Sequence, residues 1–169
     1  VRTPATSGNV MHYKEWALSV AGVGDVKVIP LWNGNGTVQV LVTDVNKNAA
    51  SQELQKKVAD YIETVRPIGA TVTVTTPEYL GINVSANVSV NAAYSQNYAD
   101  ILKDELNAYL VNLGFDSDYV SIAQVGKVLL NSGAISDYDS LKINGGISNV
   151  RIPPGYLPRA GDIEVTKVE

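Results

Sequence analysis

No cysteine occurs anywhere in the 169 residues of this chain. That excludes disulfides and thiolate metal sites; it fits a bacterial cytoplasm. Charge is scarce as well. Asp, Glu, Lys and Arg together make up 18%, against roughly 25% in an average globular chain. Asn, Ser and Thr fill the gap. Neutral polar surface loses water more cheaply than charged surface, so it suits burial against partners. The net charge is −4, and no basic run occurs. Lys56 and Lys57 sit among Glu53, Asp60 and Glu63. Binding a phosphate backbone needs clustered Lys and Arg, so nucleic acid is not an expected partner. Nor is a membrane, because no apolar run approaches the roughly 20 residues of a spanning helix. The opening VRTPATSGNV has no basic stretch followed by an apolar one and is not expected to be a signal peptide. It also lacks an initiator Met, and the chain is expected to be an excised or processed piece of a longer protein.

Hydrophobic residues reach 45%, enough for a real core and too many for disorder. Residues 1–8 look like a tail or linker. Asn9 is placed to cap a short helix, whose Tyr13, Trp16 and Val20 share one face and which Gly22 ends. A hairpin follows. Val26 and Val28 alternate with Lys27, Asn33-Gly34-Asn35-Gly36 makes the turn, and Val38, Val40 and Val42 alternate on the return. Pro30 marks an edge or a strand end. Ser51 caps the next helix, with Glu53 in its first turn and a stripe of Leu54, Val58, Tyr61, Ile62 and Val65. Pro67 stops it, and 70–76 reads as a strand. Pro77 is the boundary.

The second half opens on a clean alternation. Ile82, Val84, Ala86, Val88 and Val90 face one way; Asn83, Ser85, Asn87, Ser89 and Asn91 face the other. Asn97 caps a long helix with the stripe Leu102, Leu106, Tyr109, Leu110 and Leu113, closed by Gly114. Ser121 and Gln124 form a capping box for another helix, whose inner face is Ile122, Val125, Gly126 and Leu129. A glycine there costs about 1 kcal/mol against Ala, so Gly126 is expected to let another element come close. Strands are expected around 136–143, 148–152 and 162–168, with Pro153, Pro154, Gly155 and Pro158 punctuating the last connection. Both halves have a helix ending at glycine (Gly22, Gly133) that feeds a hairpin, in the related phrases SVAGVGDV and LLNSGAISDY. The expected architecture is α+β: a first α/β unit over 9–77 and a second over 78–169, each two helices packed on a mostly antiparallel sheet.

Chemistry is hard to find in these residues. Gly22-Val23-Gly24 lacks the preceding strand, third glycine and following helix of a dinucleotide loop; a cap and turn explains it. His12, the only histidine, has no neighbouring set of nucleophile, base or ligands. Asp116-Ser117-Asp118 and Asp137-Tyr138-Asp139 do not continue as calcium loops. Three glycosylation sequons begin at Asn35, Asn83 and Asn87, and these matter only in a eukaryotic secreted protein. No catalytic, metal-binding or cofactor-binding residue is therefore expected, and no cofactor. Trp16 suits a core, whereas Trp32, at a strand end, stays open between packing and contact. The candidate interface residues are Asn83, Ser85, Asn87, Ser89, Asn91 and Trp32.

Four phrases in fixed order carry a family likeness: Trp16-Ala17-Leu18-Ser19-Val20, then Gly22-Val23-Gly24, then 30–38 (PLWNGNGTV), then Arg66-Pro67-Ile68-Gly69-Ala70. The closing LPRAGDI at 157–163 adds to them. In these the chain resembles the baseplate J-like family of contractile phage tails and related prophage particles. The resemblance implies a wedge subunit that works by assembly with other baseplate and tail proteins, with self-association among its contacts. It implies no enzymatic activity. The place implied is the tail baseplate of a virion, put together in the bacterial host cytoplasm. An alternative from the residues alone is a glycan-binding or adhesin-like module using Trp32 and surface tyrosines. An α/β enzyme built on the Asp pairs is a third.

Overall fold

The computed structural model describes residues 9–169, and the expected tail at 1–8 lies outside the described residues. The chain divides into two compact units between Glu78 and Tyr79. The α+β class expected from the sequence is the class observed: four helices and eight strands among the described residues.

In the first unit, helix α1 (Val10–Leu18) begins at Asn9, whose Oδ1 accepts the His12 backbone N–H at 2.9 Å. Strands β1 (Val23–Pro30) and β2 (Thr37–Asp44) form the antiparallel hairpin. Helix α2 (Gln52–Val65) starts where the Ser51 hydroxyl accepts the Leu54 N–H. It crosses back to β3 (Thr71–Thr75), which pairs with β2 in parallel. The sheet order is β1-β2-β3. Both helices pack against it, burying Tyr13, Ala17, Val26, Val40, Val42, Val58 and Ile62. Burial on β2 does not alternate: Val40, Leu41, Val42 and Thr43 are all buried. Trp16, expected in the core, is only half-buried against it. Tyr61, expected in the α2 stripe, is 39% exposed.

In the second unit, β4 (Glu78–Val90) is followed by α3 (Tyr98–Leu113), β5 (Tyr119–Val120), α4 (Ile122–Asn131), β6 (Ile135–Ile143), β7 (Val150–Arg151) and β8 (Tyr156–Lys167). The main sheet has the order β6-β4-β8, and β5 pairs separately with β7. β6 runs antiparallel to β4. Along β8, the Asp162 N–H meets Asn83 and the Val168 N–H meets the Val88 carbonyl, so the two strands advance together, as parallel neighbours do. The helices cover one face, over Ile82, Val84, Val88, Leu102, Leu106, Leu110, Val125 and Leu129. The strand after Gly133 does not enter a local hairpin, as the sequence suggested. It pairs back to β4 instead. Pro158 lies inside β8 rather than in a connection; β8 is an edge strand, where a missing N–H costs no ladder bond.

The two units share one layout in different chain order. In each, a helix leads into an edge strand (α1-β1, α4-β6), a central strand leads into a helix (β2-α2, β4-α3), and a third strand runs parallel to the central one. The likeness of the two phrases around Gly22 and Gly133 marks the same helix-to-edge-strand step in both.

Gly126 shows why a helix face can need a glycine. A Cβ there would stand 2.7 Å from Tyr138 Cζ and closer still to the hydroxyl. Tyr138 reaches from β6 into that space. Gly126→Ala should therefore destabilise the protein by about 1–3 kcal/mol, the usual range for overpacking. In a Tyr138→Phe background, with the hydroxyl gone, the loss should shrink. Equal losses in both backgrounds, measured by urea unfolding, would place the strain elsewhere.

Candidate functional site

The alternation on β4 is realised as the sequence indicates. Ile82, Val84, Ala86 and Val88 are buried, while Asn83 is exposed and Ser85, Asn87 and Ser89 are half-buried. The helices lie on the apolar side, so the polar side is the uncovered face of the sheet. β4 is the middle strand and offers no open edge of its own.

Much of this face is already hydrogen-bonded within the unit. Asn83 Oδ1 accepts the Asp162 N–H at 2.9 Å, and the Asn83 N–H donates to Asn144 Oδ1 at 2.8 Å. Asn87 Nδ2 donates to Asp139 Oδ1 at 3.1 Å. Asn91 sits just past the strand end, where its amide donates to the Gly133 carbonyl at 2.7 Å. It ties β4 to the end of α4. The Ser85 and Ser89 side chains are the central polar groups of this face.

The flanking strands add charge that β4 itself lacks. By register, Lys142 lies beside Ser85, Asp139 beside Asn87 and Asp137 beside Ser89. On the other side, Asp162 and Glu164 of β8 line a shallow hollow of ≈ 240 Å³ with Asn83 and Ser85. A second hollow of ≈ 180 Å³ runs on between Lys142, Glu164 and Thr166. The face is thus a neutral spine between two rails that together carry four carboxylates and one ammonium. The sequence does not display which strands flank β4, and so these residues were not among the interface candidates.

Trp32 belongs to the first unit, at the turn between β1 and β2. It is 42% exposed, next to Leu31 at 62%. Ile68, fully exposed, is in the loop that meets this turn, where the Thr71 N–H donates to the Gly36 carbonyl at 2.8 Å. Trp32 is therefore part of an exposed apolar tip and not of the core.

The other sequence candidates are structural in their surroundings. His12 stacks on Trp16 with ring centres 5.6 Å apart. Beside it Tyr13 is buried, its hydroxyl without a hydrogen-bond partner among the described residues. Burial pushes its phenol above the usual tyrosine range, and the nearby Arg66 guanidinium partly opposes that. Asp118 offers its backbone carbonyl to the Ile152 N–H, and Asp137 accepts its own neighbour's N–H, that of Tyr138. Among the described residues no three His, Asp or Glu side chains come together to hold a metal ion. A hollow of ≈ 480 Å³ between α3 and α4 is lined by Tyr109, Asn112, Leu113, Tyr119 and Gln124 with Ser117 and Ser121; it has no carboxylate or imidazole. No helix among the described residues is long and apolar enough to cross a membrane.

Comparison with known proteins gives the chain its relatives. Two family models match in succession: the baseplate J-like central domain over residues 5–76, and the baseplate J-like protein C-terminal domain over residues 82–166. The chain is 37% identical to the phage-like element PBSX protein XkdT of Bacillus subtilis strain 168, across 98% of this chain and 50% of that protein. It is 33% identical to baseplate protein gp47 of Escherichia phage Mu, across 55% of this chain and 29% of that protein. The fold is similar to a chain in the cryo-EM structure of the anti-feeding prophage baseplate. There the TM-score is 0.68 at 15% identity, over 89% of this chain and 36% of the other. The chain spans about half the length of the full-coverage relatives.

Proposed function

The chain belongs to the baseplate J-like family, and from that premise we propose that it is a wedge component of a contractile-tail baseplate, in a phage or a related prophage particle. It acts by protein–protein assembly and not by catalysis. The observation that carries this reading is the succession of the family's central and C-terminal domains along nearly the whole chain. Its partners are other baseplate and tail proteins, with self-association among the contacts, and assembly takes place in the bacterial host cytoplasm. The site chemistry supports it: neutral amides and hydroxyls exchange water for a partner's hydrogen bonds at lower cost than charges do. Asn83, Ser85, Asn87 and Ser89 form one contact face in this reading, and the Trp32 tip a second.

The test has two parts. The protein should be found in purified particles; its absence from them would remove the assignment. Ser85→Lys and Ser89→Glu together should leave folding nearly unchanged, within about 0.5 kcal/mol each as for other surface substitutions, although each sets a like charge opposite Lys142 or Asp137. Particle assembly should fall. Contractile particles carrying both substitutions at normal yield would remove this face from the interface.

A further inference from the structure

The four edge strands of the two main sheets are not equally protected. β1 carries Asp25, Lys27, a terminal Pro30 and a bulge between Val23 and Val26. β6 carries Asp137, Asp139 and Lys142 and is broken by two irregularities against β4. β8 carries Pro158, Asp162, Glu164 and Lys167. Charges, prolines and bulges are the devices that keep an edge from pairing with another chain. β3, with the sequence TVTVT, has none of them, and its register with β2 is unbroken from Thr71 to Thr75.

The direction of its free groups follows from the ladder. The Thr71 N–H donates to the Gly36 carbonyl, and Thr71 is in register with Thr37. In a parallel pair, alternate residues turn their N–H and C=O to the neighbour. Thr71, Thr73 and Thr75 therefore bond toward β2, and Val72 and Val74 turn theirs outward. Among the described residues these outward groups have no hydrogen bond. Both valines are half-buried, packed by their side chains against the core of the unit. Their outward N–H and C=O groups lie along the open edge, free to exchange water for the backbone of an added strand.

We propose that β3 is a docking edge, and that an extended strand of a neighbouring baseplate protein adds to it as the fourth strand of the first unit's sheet. The chemistry selects this occupant. Donors and acceptors that recur at every second residue, about 7 Å apart, match the spacing of another strand. A small ligand would meet one such pair, and a helix has already used its own backbone groups. The uncharged Thr and Val side chains favour an incoming strand of alternating apolar and neutral polar residues. This inference rests on the baseplate reading, which supplies the neighbour.

Hydrogen–deuterium exchange tests it on the whole chain, free and in purified particles. In the free chain the Val72 and Val74 amides should exchange nearly unprotected. In the particle they should slow by about a hundredfold or more, as for amides held in a sheet ladder. Thr73→Lys, which adds the charge that the other edges have, should leave thermal unfolding of the free chain unchanged and lower incorporation into particles about tenfold or more. Protein present in particles with both amides still exchanging freely would overturn the docking edge and leave the baseplate reading standing. Protein absent from particles would overturn the baseplate reading first. Protection already present in the free chain, growing with concentration alongside a dimer in sedimentation, would replace the neighbouring protein by a second copy and overturn the proposal as stated.

Discussion

Leu110→Ala should lower the stability of the second unit by about 2–5 kcal/mol, the range for emptying a well-packed leucine site. Leu110 is 1% exposed, on the α3 face with Leu102 and Leu106, among Val84, Val88, Leu129 and Ile135. The substitution removes three carbons from a core whose surroundings are strands and a second helix, which cannot close the gap without shifting backbone. Leu130→Ala is the internal comparison. Leu130 is 43% exposed on α4, and its loss should stay below about 1 kcal/mol. Urea unfolding of both variants decides the matter. If the midpoint for Leu110→Ala matched that for Leu130→Ala, the α3 stripe would not be the core of this unit.

The helices were the legible part of this chain because their ends are written in local chemistry. Ser51 and Ser121 each accept the N–H three residues on, as a capping residue does, and Asn9 does the same for His12. Asn97 precedes α3 as expected, yet its side chain makes no cap bond. Stripe width was less readable. On α3 the expected Tyr109 and Leu113 are half-buried, and full burial is confined to Leu102, Leu106 and Leu110.

Strand pairing was where local signals ran out. The hairpin of β1 and β2 is announced by Asn-Gly residues between alternating valines. Nothing near β6 announces that its partner is β4, some fifty residues back, because such a pairing is decided by which apolar faces meet under the helices. β5 and β7, two residues each, are too short to show any period. The same gap explains the candidate face. The Asn/Ser row on β4 is visible in the alternation. The carboxylate rails beside it need the sheet order β6-β4-β8, and only the folded chain supplies that. The unprotected edge at β3 has the same origin: TVTVT is a plain strand in the sequence, and becomes an edge only once β2 is known to take its other side.

Gly24→Ala should cost about 2–4 kcal/mol and strike the first unit. Gly24 looked like part of a cap and turn, and half of that is right. Gly22 does not cap the helix as expected, since α1 ends at Leu18 with Ser19 as its cap; with φ +98 it makes the turn into β1, in a conformation that glycine adopts without strain. Gly24 has no such φ; it is a question of space. A Cβ at this position would stand 2.8 Å from the Asp44 carbonyl carbon, 2.9 Å from Val45 Cα, and nearer still to the Asp44 oxygen. Those are backbone atoms, so no rotamer can yield. The chain would have to open the bulge between Val23 and Val26. That bulge is pinned by the Asp25 N–H donating to the hydroxyl of Thr43 at 2.9 Å, and Thr43 is fully buried. Opening it adds the loss of a hydrogen bond to a buried group, about 1–3 kcal/mol, to the strain of overpacking, about 1–3 kcal/mol, with partial relief of one by the other. Gly81→Ala supplies the control. Gly81 is an exposed strand glycine with no positive φ and nothing within 4 Å of its Cβ position, so the same added methyl should change stability by less than about 0.5 kcal/mol. Thermal unfolding of the two variants separates the readings. Similar, small shifts for both would show that the approach of β1 to Asp44 relaxes freely. The expected result is a large loss for Gly24→Ala alone, with the amides of β1 and β2 losing their exchange protection first.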